Sequence, residues 1–284
     1  MSILKGQLET DNGDALFPRT SADLVEGINA KQLLLNSDFQ VNQRGQTVYD
    51  YTSRTGYTVD MWLVNQLKVS VLSDGWVKVE NLHTAGHHFQ QKLDSATKGQ
   101  HVLALNVRNI KGEINLYNER AGSNETYIGR VKNGYNEFFI DAVDMTSVAI
   151  NVKPNSSVEI EYVDLFEGYD SYPHVKNNYE IELMKCQKRY IKLRETGIIM
   201  YRYSDTKVLY NVTFPKMYAN PKLVSFEINA TDDFGNGMKA TYNNLTDLYV
   251  EGNDSMSFKI TWPKTVKKDI GGSKCIAELS CEKY

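Results

Sequence analysis

His83, His87 and His88 fall within one short run, His83-Thr-Ala-Gly-His87-His88, the densest group of imidazoles in the chain. As metal ligands they would need a third donor and a geometry that a Gly-containing turn does not guarantee. The run therefore reads as a polar loop between two strands. Asp232 and Asp233 beside Gly235 and Gly237 offer carboxylates for calcium but lack the spaced oxygen ligands of a loop site, so a hairpin is expected there. The chain contains no Gly-x-Ser-x-Gly, His-Glu-x-x-His, Walker loop or Gly-x-Gly-x-x-Gly. A glycosidase carboxylate pair leaves no sequence signature, because its members need only meet in space. With no motif favouring catalysis, the chain is expected not to be an enzyme.

Flat rings are the other chemistry on offer. Sugar-binding β-sandwiches stack them on the apolar face of a pyranose and flank them with amides and carboxylates. Trp76, Tyr117, Tyr127, Trp262 and Tyr242 are the candidate ligand-binding residues, with Tyr135, Tyr162 and Tyr249 in similar positions along strands. Each ring has a competing role in core packing, where aromatics supply much of the buried area.

These side chains need a scaffold, and the composition points to strands. The chain has 284 residues, 18 of them Tyr and only 6 Pro, with many Val, Thr and Asn. Tyr, Val and Thr suit pleated, half-buried surfaces, and Asn suits turns. A net charge of −3 gives no electrostatic support for binding nucleic acid. No apolar run approaches the ~18 residues of a membrane helix. Met1 to Gly6 carries Lys5 after Ile3-Leu4 without an apolar core segment, so no secretory signal is expected. Cys275 and Cys281 sit on one alternating strand, roughly 20 Å apart against a ~7 Å disulfide limit. With Cys186 they are expected to stay reduced, as in a chain made in a cytoplasm.

Residues 1–32 hold few large apolar groups and a turn at Asp11-Asn-Gly-Asp14, and should form an extended arm that packs on another body. From 33 to 168, short alternating segments follow one another: Leu67–Val71, Trp76–Leu82, Val102–Val107, Glu113–Tyr117, Thr126–Val131, Tyr135–Ile140, Ser147–Val152 and Val158–Phe166. Their spacing predicts a jelly-roll-like sandwich of antiparallel sheets. In 169–197, a linker, Leu183, Cys186, Tyr190 and Leu193 recur at three- and four-residue steps and predict one short amphipathic helix over 177–194. Strands resume over 198–284 and predict a second sandwich. The fold class is thus mainly β: two antiparallel sandwiches joined by a helix, behind an N-terminal arm.

Leu33-Leu-Leu-Asn-Ser-Asp-Phe-Gln-Val-Asn-Gln-Arg-Gly45, followed by Tyr57-Thr-Val-Asp-Met-Trp62, resembles the opening of domains in bacteriophage tail-fibre and receptor-binding proteins, although Met61 stands where that pattern has Arg. Phe166-Glu-Gly168, Glu182-Leu-Met-Lys-Cys-Gln-Lys-Arg-Tyr190, Asp14-Ala-Leu-Phe-Pro-Arg-Thr20 and Phe214-Pro-Lys-Met-Tyr-Ala-Asn-Pro221 are similar to later and earlier segments of the same family, with Lys188 as an extra residue. The resemblance implies a carbohydrate-binding-module-like jelly roll that recognises host cell-surface polysaccharide. It also implies a homotrimer, contacts with other virion tail proteins and a place in the virion tail. A structural calcium at Asp38 and Asp164 is a further implication. The resemblance assigns no ligand residues. The Leu33–Trp62 stretch reads as the opening edge and core plug of the first sandwich, with Asn36, Asp38 and Arg44 fixing its turn.

Overall fold

Alternating sequence becomes antiparallel strand along nearly the whole chain. The computed structural model describes residues 8–9, 15–16, 32–120, 125–170, 172–194, 198–202, 207–231, 237–241, 245–250, 255–261 and 275–281. β1 (Leu8–Glu9) and β2 (Ala15–Leu16) pair antiparallel, and the Asp11–Asp14 turn signal between them lies outside the described residues. The short strands β3 (Val48–Asp50), β4 (Thr55–Tyr57), β5 (Leu63–Asn65), β6 (Lys68–Val71) and β7 (Val77–Glu80) follow. Val69, Val77 and Val79 turn inward, while Lys78 between the last two faces out. Then come β8 (His87–Lys111), β9 (Ile114–Arg120), β10 (Glu125–Arg130), β11 (Gly134–Val152) and β12 (Ser157–Glu167).

β8 and β11 are long because each serves two layers. Their register runs from His88↔Asn151 to Lys92↔Ser147, breaks around Met145, and resumes from Ala142↔Gly99 to Gly134↔Val107. On one side of the break β8 pairs with β5 and β11 pairs with β9, which carries β10. On the other side β8 pairs with β12, which leads through β7 and β6 to β3. The break is where a sequence reading would place a turn; the chain instead bends and continues as strand.

Between the layers lies one apolar core. Trp62 stacks on Phe89 at 4.7 Å between ring centroids, and Phe39 sits 5.2 Å from Trp62. Leu34, Leu103, Leu105, Leu116, Val148, Ile150, Val163 and Leu165 complete it from both layers. The Leu33–Trp62 stretch is indeed its plug, closed by a buried side chain. Asn36, at φ 50° in the left-handed region that Asn tolerates, donates to the carbonyls of Val41 (2.8 Å) and Asp60 (2.9 Å) and accepts from Val41 N–H (2.8 Å). Its own carbonyl accepts from the Trp62 indole at 3.0 Å. Arg44 works at longer range than the predicted turn: it reaches Asp60 and lies 3.7 Å from the centroid of the Tyr190 ring.

The helix is shorter than its periodicity predicts. α1 spans Tyr179–Gln187, with Asn178 capping the N–H groups of Glu180 and Ile181. Tyr190 and Leu193 belong to the next strand, β13 (Tyr190–Arg194), which pairs with β20 (Cys275–Ser280). Tyr-Ile-Lys-Leu alternates at period two as readily as it fits a helical face, and the long-range pairing decides. α1 buries Cys186 against Val41 and Met61 and exposes Tyr179, Ile181 and Met184. β14 (Ile198–Arg202), β15 (Lys207–Thr213), β16 (Lys222–Thr231), β17 (Gly237–Thr241), β18 (Leu245–Val250) and β19 (Ser255–Thr261) complete the chain. They form two four-stranded antiparallel sheets, β13-β20-β16-β17 and β14-β15-β19-β18. Ala277 and Leu279 are buried on β20, and Cys186 and Cys281 are free thiols.

Candidate functional site

The register of β8, β11, β9 and β10 decides which side chains share the outer face of the first layer. Opposite one another across the strands stand Gln90, Ala149, Tyr117 and Tyr127. One row along are Lys92, Ser147, Glu119 and Glu125; on the other side are His88, Asn151 and Asn115. Successive strand residues point to opposite faces, so Phe89, Leu116, Val148 and Ile150 fill the core from the same four strands. A sheet face of rings, amides and carboxylates results.

Tyr117 and Tyr127 meet edge to face at 5.6 Å, and the His88 ring lies 6.1 Å from Tyr117. Tyr127 is 55% exposed, which leaves a ring for a ligand to stack on. His88 reaches toward Glu119 and Glu125, with its Nδ1 3.4 Å from Glu125 Oε1. Glu119 is held from one side: Lys92 and the Ser147 hydroxyl (2.7 Å) both donate to its Oε2. Burial pushes the Glu119 carboxyl up, but those two hydrogen bonds outweigh it and hold the group below its usual range. Burial pulls the His88 imidazole down, against the opposing charges of Glu125 and Glu119. Three polar atoms on this face are buried without a hydrogen bond: His88 Nε2, Gln90 Oε1 and Asn151 Oδ1. Unpaired buried acceptors cost free energy.

Of the ring candidates from the sequence, Tyr117 and Tyr127 are brought together here. Trp76 stands apart, between β6 and β7, with the Arg108 guanidinium 4.0 Å over its ring and Arg108 itself bound to Asp74 and Glu159. Tyr135 projects from the other half of β11 and donates to Glu137. Tyr162 is covered by His174, stacked at 3.9 Å. Trp262, Tyr242, Asp232 and Asp233 lie outside the described residues. His87 and His88 depart from the polar-loop reading, since they open β8, and His88 joins the sheet face. Glu119 and Glu125 carry no motif; only the register of strands far apart in sequence brings them to His88.

Asp38 and Asp164 neighbour an imidazole. His174 Nδ1 contacts Asp164 Oδ2 at 2.8 Å, and Gln32 Nε2 donates to Asp164 Oδ1 at 2.6 Å. Burial lowers the His174 value, but the Asp164 hydrogen bond and the charges of Asp164, Asp38 and Glu161 outweigh it and leave it raised. Burial raises Asp38. A raised histidine contributes stability below its unfolded value of 6.5, and the contribution fades as pH rises through the folded value. His174→Gln is therefore expected to cost more stability at about pH 6 than at about pH 8 in urea unfolding. An equal cost at both would show that the pair carries no charge-dependent stabilisation.

The chain matches no family model, and no curated protein sequence matches it. Among solved structures it is similar to the unliganded CBM1 module of BiXyn10A, at 17% identity and a TM-score of 0.31, covering 43% of this chain and 96% of that one. It is similar also to a family 29 carbohydrate-binding module, at 8% identity and a TM-score of 0.30, covering 42% of this chain and 87% of that one. A third is a family 29 module complexed with mannohexaose, at 8% identity and a TM-score of 0.31, covering 42% and 89%. Likeness at this level fixes neither topology nor ligand.

Proposed function

We propose that the protein binds polysaccharide on the outer face of β8, β11, β9 and β10. The observation that carries this reading is the Tyr117–Tyr127 ring pair set among Gln90, Asn115, Asn151, Glu119 and Glu125. Such a face gives apolar ring area for a pyranose and amide and carboxylate groups for its hydroxyls.

The finer reading is a non-catalytic bacteriophage tail-fibre or receptor-binding protein that recognises host cell-surface glycan and resides in the virion tail. Its support is the tail-protein motifs, with Leu33–Gly45 and Glu182–Tyr190 the longest of them. Under this reading residues 1–32 dock to the particle, 33–168 form the recognition domain, 169–197 link it, and 198–284 form a second sandwich. Trimerisation through the arm and α1 would raise weak single-site binding by avidity, and the exposed Tyr179, Ile181 and Met184 suit a subunit contact. The second reading is a structural virion component whose sheets bind other tail proteins. An array of bacterial polysaccharides probed with the full chain separates them: retention on at least one glycan is expected, and a blank array would favour the structural component. Light scattering of the same chain is expected to give three copies, and a stable monomer would remove the trimer.

A further inference from the structure

His88, Glu119 and Glu125 come from β8, β9 and β10, with β11 between the first two, and one ligand atom from each lies within 4.8 Å of the other two. The His88 Nδ1 to Glu125 Oε1 separation is 3.4 Å. That is long for a hydrogen bond between these groups. It is the edge of a tetrahedron around zinc, where metal–ligand bonds of about 2.0–2.2 Å set neighbouring ligand atoms about 3.4 Å apart. Glu119 is held through one oxygen, because Lys92 and the Ser147 hydroxyl both donate to its Oε2. Hydrogen bonds to a ligand's second atom are the usual way a metal site fixes its carboxylates. The flanking acceptors Gln90 Oε1 and Asn151 Oδ1, in side chains 8% and 6% exposed, have no hydrogen-bond partner.

We propose that His88, Glu119 and Glu125 bind one zinc ion and leave its fourth position open to solvent. One imidazole and two carboxylates make a borderline donor set of the kind zinc accepts, and half-exposed Glu125 has the freedom to close the last distance. The open position faces the same surface as Tyr127. The ion rests on the three side chains and does not require that the face bind polysaccharide.

Isothermal titration of zinc chloride into the metal-stripped full chain tests this. One equivalent is expected to bind, and His88→Ala and Glu125→Gln are each expected to weaken it by at least about tenfold. Glu125 is exposed enough that its Gln variant should keep the fold, and a circular dichroism spectrum of each variant checks that. His87→Ala should leave zinc affinity within about twofold. No binding by the wild type, unchanged binding in both site variants, or loss in His87→Ala alone would overturn the assignment. Glycan retention without zinc would leave the polysaccharide reading standing while the ion is tested separately.

Discussion

Replacing Asn36 by alanine is expected to lower the unfolding free energy by about 3–5 kcal/mol. The side chain forms three buried hydrogen bonds, two from Nδ2 to the carbonyls of Val41 and Asp60 and one from Val41 N–H to Oδ1. Alanine orphans all three backbone groups, and each buried orphan costs about 1–3 kcal/mol. It also places a non-Asn residue at φ 50°, a left-handed conformation that costs about 1–2 kcal/mol for most residues. The upper part of the simple sum is reduced because the loop can shift and admit water. Asn36→Asp should fare little better, because it loses both donors and sets a carboxylate against two carbonyls and near Glu182, whose Oε1 accepts from Asn36 N–H. Urea unfolding measures both. A loss below about 1 kcal/mol for alanine would show that the Leu33–Trp62 plug is not held by this residue.

Tyr117→Ala should weaken polysaccharide binding by about 2 kcal/mol, or about thirtyfold, the scale on which a central aromatic contributes to an interface. Tyr117 sits between Tyr127 and His88, so its removal also frees Tyr127 to move. Tyr127→Ala should cost less, since that ring is more than half exposed, and the double variant should lose less than the sum because the rings touch. Affinity titration of all three variants checks the ranking. Equal affinities for all of them would place the ligand elsewhere.

Much of the strand content was legible because alternation and turn residues mark it. Leu67–Val71 and Val158–Phe166 emerge within a residue or two as β6 and β12. Three features were not legible for physical reasons. β8 and β11 run through bends that carry no Pro, so continuity depends on partners in two layers. The 188–194 segment fits both a period of two and a helical face, and its pairing with β20, about ninety residues later, settles it. Tyr117 and Tyr127 could be named from residue type alone, whereas His88, Glu119 and Glu125 assemble only through strand register. Trp76 shows the converse limit: an indole looks available in sequence, yet a guanidinium fixed by two carboxylates lies over its ring.

The central claim is that the outer face of β8, β11, β9 and β10 is where polysaccharide binds. Its most direct test compares Tyr117→Ala with Tyr135→Ala in calorimetric titrations of a polysaccharide retained on the array. Both rings lie on strands of the first sheet, but Tyr135 projects from the other half of β11, in the second layer. The Tyr117 variant should lose about thirtyfold in affinity while the Tyr135 variant matches the wild type. Unchanged binding by the Tyr117 variant, or loss in the Tyr135 variant alone, would contradict the account.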